Sequence, residues 1–197
     1  MDEQQLDAQG NAGAPDSAEV TAATIGWLEK AVIGLNLCPF ARAVHGGGRI
    51  RYVVTAATEP EQLAAALLGE LELLAAADPL ELETTLLIHP HVLNDFLDYN
   101  EFLDIADAAV ELLGLTGVVQ VASFHPQYQF AGTGSDDIDN YTNRSPYPTL
   151  HLLREDSVER AVAAHPDTDR IFQNNIETLR RLGRDGWDRL GIKPAKD

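Results

Sequence analysis

Residues 118–154 read VVQVASFHPQYQFAGTGSDDIDNYTNRSPYPTLHLLR. The opening VVQVASF is nearly all apolar or small, as a strand buried on both faces requires. The closing TLHLLR is a second strand, in which His151 alternates with Leu150 and Leu152 and so faces the other way. Residues 125–148 lie between them. Unstructured loops longer than about 12–15 residues are uncommon inside a compact domain and are usually functional or disordered. Disordered segments are poor in aromatics. This one holds Tyr128, Phe130, Tyr141 and Tyr147 among His125, Asp136, Asp137, Asp139, Asn140, Asn143 and Arg144. That mixture suits a folded wall around a small polar ligand.

Outward from this stretch, the chain alternates helices and strands. Residues 1–15 are polar with Gly10, Gly13 and Pro15, and are expected to form a flexible tail. Residues 20–37 read as a helix with Ile25, Leu28, Val32 and Leu35 on one face, stopped by Pro39. A turn containing Gly46, Gly47 and Gly48 leads to a strand over 50–55, whose alternating start places it toward a sheet edge. Thr58, Pro60 and Glu61 open a helix that carries Leu63, Leu67, Leu71 and Leu74 along one side to about residue 77. A strand over 84–88 ends in His89-Pro90. A helix over 94–113 is closed by Gly114, and the strand over 118–124 ends in His125-Pro126. After the fourth strand, Asp156 with Glu159 starts a short helix. Residues 168–182 form the last, closed by Gly183, with a mobile C-terminus over 191–197.

The order predicts a single α/β domain over 16–190, an open sandwich. Its four-stranded sheet is mixed, with mostly parallel strands and helices packed on it. The strand–helix–strand–helix–strand run implies three parallel strands, with the fourth antiparallel.

Composition narrows the partners. The 31 acidic residues exceed the 14 basic ones, for a formal net charge of −17, which opposes nucleic acid and anionic membrane surfaces as partners. An anion would have to be captured locally, by Arg144 or Arg154. Cys38 is the single cysteine, so no internal disulfide forms. The start MDEQQLDAQG lacks a basic segment followed by an apolar one. A soluble, cytoplasmic protein acting on a small-molecule substrate or ligand is expected, of undetermined oligomeric state.

Familiar motifs fail. His45-Gly46-Gly47-Gly48 resembles a lipase oxyanion loop, but no Gly-x-Ser-x-Gly accompanies it. Gly132-Thr133-Gly134-Ser135 is too short for a phosphate loop, and GxGxxG, HExxH and paired CxxC are missing.

Ligands of open parallel sheets bind outside the carboxyl ends of the strands. His89 and His125 follow two such ends, and an antiparallel fourth strand would start beside them. The site is therefore expected at that edge, under the 125–148 loop. In it His125 is the acid/base and Asp137 orients it or acts as base. Arg144 clamps an anionic group, Tyr128 and Tyr141 form walls, and Asn140, Asn143 and Arg154 add polar contacts. His125, His151, Asp137 and His89 are also candidate ligands for a divalent metal, zinc or iron. Cys38 is a candidate nucleophile if a base such as His125 comes within reach. Each position has a plainer reading. A histidine before proline can bond the turn, His151 can be a satisfied core residue, the aspartates can cap turns, and a lone cysteine is usually a small buried hydrophobe. A small-molecule enzyme is the first expectation; the alternative is a non-catalytic protein that binds a metabolite or metal.

The segments Asn36-Leu37-Cys38-Pro39-Phe40-Ala41, Ser123-Phe124-His125-Pro126-x-Tyr128-x-Phe130, Asn140-Tyr141-Thr142-Asn143-Arg144-Ser145-Pro146-Tyr147-Pro148 and His151-Leu152-Leu153-Arg154-Glu155 together resemble a bacterial domain-of-unknown-function family. The resemblance spans about residues 20–185. It implies membership and a recurring signature that includes Cys38 and the long loop, and it implies no activity.

Overall fold

The computed structural model describes residues 16–164 and 170–192. The expected tail over 1–15, and 193–197 of the expected mobile C-terminus, lie outside the described residues. The first helix, α1 (Ser17–Trp27), runs on without a break into a π-helical stretch, Leu28–Ile33. The wider π-turn ends at Gly34, where a Cβ would collide with the Lys30 carbonyl oxygen. Asn36 then takes the left-handed conformation (φ 55°), which asparagine tolerates better than most residues. A short helix that the glycine-rich sequence did not suggest, α2 (Ala41–Gly46), follows.

The remaining elements are β1 (Ile50–Val54), α3 (Pro60–Ala76), β2 (Thr84–Ile88), α4 (Phe96–Leu112), β3 (Val119–Phe124), a 3-10 turn (Ile138–Thr142), β4 (Thr149–Arg154), α5 (Glu155–Ala164) and α6 (Ile171–Arg189). Local signals mark several boundaries as expected. Pro60 opens α3, and Gly114 (φ 67°) closes α4. The α4 cap is Asp95, whose carboxylate accepts from the Leu97 and Asp98 N–H groups at 2.8 and 3.3 Å. Gly183 (φ 64°) breaks α6 as anticipated, but the chain re-enters helix and runs to Arg189, which buries Trp187.

The sheet is α/β and mixed, in the order β1-β2-β4-β3. β1 and β2 pair in parallel, while β4 pairs antiparallel with β2 on one side and β3 on the other. Three strands therefore run one way, as expected, but only one neighbouring pair is parallel, because β4 inserts between β2 and β3. The edge position of β1 matches its alternation. β3, expected to be buried on both faces, is instead an edge strand of mostly intermediate exposure, and β4 is central.

Beside Thr149, whose hydroxyl donates to the Tyr147 carbonyl at 2.9 Å, β4 carries two larger polar residues, His151 and Arg154, and each finds a partner on another element. Arg154, 8% exposed, donates from Nη2 to the Leu74 and Ala77 carbonyls at 2.6 and 2.7 Å, and from Nε to Leu82 at 3.2 Å. It thus caps the C-terminus of α3, which has no glycine there, by bringing charged donors to the Leu74 and Ala77 carbonyls. His151 bonds to Thr84 of the neighbouring strand.

The two faces of the sheet have separate cores. Leu87, Leu150, Leu152 and Val119 meet Leu63, Leu67, Leu71 and Leu74 of α3 and Tyr99, Phe102, Ala106 and Val110 of α4. The opposite face, with Ile50, Tyr52 and Phe124, packs against α1, the π-turn and α6 through Trp27, Leu28, Val32, Leu179 and Trp187.

Replacing Arg154 by Met keeps the aliphatic stem and strips the donors from the end of α3. Urea unfolding is expected to show a loss of about 2–4 kcal/mol, the range for unpairing several buried polar groups. A loss under about 0.5 kcal/mol, the range of an ordinary surface change, would show that these carbonyls find other partners.

Candidate functional site

The carboxyl edge of the sheet does gather His89 and His125, although their strands are not neighbours. Both rings pack against Tyr99 of α4, His89 stacked at 5.7 Å and His125 tilted at 5.0 Å between centroids. The Tyr99 hydroxyl donates to the Thr149 carbonyl at 2.9 Å and accepts from the Phe124 N–H at 3.1 Å, so it staples the start of β4 to the end of β3.

Both imidazoles are shut off from solvent. His125 Nδ1 accepts from the Gln127 N–H at 3.0 Å, which leaves the proton on Nε2, and Nε2 donates to the Leu93 carbonyl at 3.2 Å. Leu93 is itself held in the left-handed region (φ 56°), so His125 secures a strained turn. His89 Nδ1 donates to the Val92 carbonyl at 2.9 Å; its Nε2 is buried with no hydrogen-bond partner among the described residues.

The 125–148 loop is a folded wall, and its polar groups largely bond to one another. Asn140 is fully buried. Its Oδ1 accepts from the Phe130 N–H at 3.0 Å and the Thr133 hydroxyl at 2.8 Å, and its Nδ2 donates to the Gly134 carbonyl at 2.8 Å. Asp137 accepts from the Gly134 N–H at 2.7 Å, closing a turn. Asn143 Nδ2 donates to the Ser123 carbonyl at 3.2 Å. Arg144 donates to the Tyr128 and Ser135 carbonyls at 3.2 and 2.6 Å, and its guanidinium lies 4.5 Å from the Tyr141 ring centroid. Tyr141 is buried edge-on against Trp187 at 4.9 Å, and Asp139 pairs with Arg180 at 2.7 Å, so α6 backs the loop. Tyr128 packs against Phe96 and Phe130 at 5.1 and 5.0 Å.

His151 is not part of this group. It follows Leu150 on β4 and projects from the opposite face of the sheet, opposite Leu86 on one side and Ala122 on the other. The four residues considered as metal ligands therefore do not converge: His89 and His125 flank Tyr99, Asp137 closes a loop turn, and His151 lies across the sheet. Among the described residues no group of three or more His, Cys, Asp or Glu side chains is placed to hold a metal ion. The donor set does not fit zinc or iron. Cys38 and His125 are likewise separated, since Cys38 lies on the His151 face.

On that face is a cavity of about 320 Å³. Its floor is the sheet, with Ile50, Thr84, Leu86, Ala122, His151 and Leu153. One wall is Trp27, Leu28 and Val32 of α1 and its π-turn. Another is Cys38, Phe40, Ala41 and Val44, and α5 closes the third with Ser157, Val158 and Ala161. The floor lies toward the amino ends of β1 and β2 and extends along β3 from Gln120 to Phe124, on the His151 face of the sheet. Nearly all of the lining is carbon, and its charges are spent. Glu83 at the margin pairs with Arg49 at 2.6 Å, and the guanidinium of Arg154 is turned to the end of α3. The π-turn contributes Leu28 and Val32, and such turns are frequent at functional sites.

His151, in the floor, is half-buried, and its ring borders the cavity. The sequence pointed to His151 and Cys38, and Phe40 lies in the same quoted segment as Cys38, but it did not single out Thr84 or Trp27. Thr84 is visible only as one of the Thr84-Thr85 pair that heads the apolar run Leu86-Leu87-Ile88.

Burial lowers all three imidazoles. His89, His125 and His151 are each pulled from 6.5 to about 4, because a charged ring would lose its hydration; in His125 the Leu93 carbonyl opposes this.

The geometry defines an α/β domain with one tightly bonded aromatic–histidine edge and one apolar cavity on the far face. The chain belongs to the family described as "Protein of unknown function (DUF1415)", which matches residues 19–189. No curated protein and no solved structure matches it. No helix among the described residues is long and apolar enough to cross a membrane.

The three histidines set a pH dependence. In the unfolded chain they take up protons near 6.5, whereas in the fold they stay neutral until about 4. Their contribution to stability is complete above pH 6.5 and is lost as the pH falls from there toward 4, by up to about 1.4 kcal/mol per pH unit for each ring. An NMR titration at pH 5.5 is expected to find all three rings neutral. A midpoint near the ordinary histidine value for any of them would mean that its ring is in water.

Proposed function

We propose that the protein binds a small, mostly hydrocarbon molecule in the cavity between the sheet and α1, α2 and α5. The observation that carries this reading is a carbon-lined space of about 320 Å³ with one imidazole in its floor. Small-molecule sites are concave, mostly apolar, and carry a few placed polar groups, with volumes from about 300 Å³ upward. The segments on which the family resemblance rests support the same place. Cys38, Phe40 and Ala41 come from the first, Phe124 from the second, and His151 and Leu153 from the fourth.

Binding is favoured over catalysis. A general base works best with a pKa near the working pH, and burial takes His151 well below it. The described residues bring no carboxylate to within hydrogen-bond distance of His151 to raise its basicity. The small-molecule enzyme expected at the carboxyl edge has less support, since His125 there is bonded through both nitrogens. We further propose the cytoplasm as the compartment, where the lone Cys38 would remain a thiol.

A thermal-shift screen of small aromatic and aliphatic molecules tests the reading. A binder at a hundred times its Kd stabilises the fold by about 2.7 kcal/mol, a rise of several degrees. Ala122→Trp fills the floor of the cavity and is expected to abolish the shift while the protein stays folded. The hit should be recovered chemically unchanged. Binding that survives Ala122→Trp would move the site elsewhere, and turnover of the hit would restore the enzyme reading.

A further inference from the structure

The hydrogen bonds of His151 specify the kind of molecule the cavity selects. The Thr84 hydroxyl oxygen lies 2.6 Å from the Leu152 carbonyl oxygen. Two oxygens approach that closely only with a proton between them, and a carbonyl carries none. The Thr84 hydroxyl therefore donates to Leu152. It has one proton, so it meets His151 Nε2, 2.8 Å away, with a lone pair. Nε2 must then carry the imidazole proton, and Nδ1 of the neutral ring is a bare acceptor. No donor among the described residues is bonded to Nδ1, and the ring borders the cavity.

An acceptor in a carbon-lined space leaves a specific opening for a ligand. A site built to hydrogen-bond a hydroxyl or N–H discriminates against the analogue that lacks it, because its own polar group is then left unpaired. Charged ligands find no counterpart. Glu83 is paired with Arg49, and the Arg154 guanidinium caps α3. An ion would be desolvated with no compensating partner. Size sets a further limit, since an apolar cavity of about 150 Å³ accommodates benzene and this one is about twice that.

We infer that the cavity selects a neutral molecule, of the size of two fused rings, whose apolar body presents one hydroxyl or N–H to Nδ1 of His151. This rests on the binding reading above and specifies its ligand. The stretches outside the described residues (1–15, 165–169 and 193–197) contain no run of bulky apolar side chains that would serve as an internal occupant.

The test compares 2-naphthol, 2-methylnaphthalene and 2-naphthoate on the full chain, by fluorescence titration of wild type and His151→Phe. In wild type 2-naphthol is expected to bind about tenfold more tightly than 2-methylnaphthalene, the worth of one hydrogen bond, and 2-naphthoate to bind least. In His151→Phe the preference for 2-naphthol should vanish while 2-methylnaphthalene still binds. Equal binding of the two neutral probes to wild type would overturn the inference and leave the cavity reading standing. Tightest binding by 2-naphthoate would overturn the neutral-ligand assignment, and no binding by any probe would overturn both. A measurement on wild type alone covers the case in which His151→Phe fails to fold. Nitrogen-15 NMR of the neutral imidazole is expected to show the proton on Nε2, and a proton on Nδ1 would end the proposal.

Discussion

The antiparallel pairing of β4 with both of its neighbours is the constraint from which the rest of the structure follows. Its register sets Leu86, His151 and Ala122 in one row across three strands. That row, with Thr84 and Leu153 beside it, is the floor of the cavity. The same strand sends Leu150 and Leu152 to the other face, into the core beneath α3 and α4, and ends in Arg154 at the carbonyls of α3. A slip of one residue would exchange the two faces, placing an imidazole in the leucine core and leaving the end of α3 without its cap.

The long loop shows how a rich set of polar and aromatic side chains can be structural. Its amides, carboxylates and guanidinium satisfy backbone groups that a buried excursion would otherwise leave unpaired. Asn140 bonds through both side-chain atoms, and Arg144 bridges two carbonyls of the same loop. Tyr141 enters the core that includes Trp187, so the loop is anchored to the body of the domain. The composition that suggests a binding wall is also what a folded loop needs to close upon itself. Sequence alone does not separate the two, because the same donors and acceptors serve either purpose.

Where boundaries depend on nearest neighbours in the chain, the sequence was readable. Pro60 and Gly114 mark helix ends through their own backbone preferences, and Leu63, Leu67, Leu71 and Leu74 lie on the buried side of α3 as their spacing requires. His89 and His125 also reach the same edge, since both come after strands running the same way, but there both rings are buried against Tyr99. Less legible were features that depend on distant partners. The second half of α6 buries Trp187 against Tyr141, and the π-turn forms where α1 meets the sheet. β3 looked central from its apolar content, whereas β4, which carries a histidine and an arginine, holds that position.

The sequence by itself determined the alternation of helices and strands, the α/β class, the edge position of β1 and the family, because these rest on periodicity, caps and local motifs. Only the tertiary structure decided which strand lies in the middle, which face His151 joins and where the cavity opens. Those outcomes depend on whether a polar side chain finds partners far along the chain. Thr84 and His151 are joined across 67 residues, and Arg154 and Leu74 across 80. Until those contacts form, nothing local distinguishes a buried histidine or arginine from an exposed one.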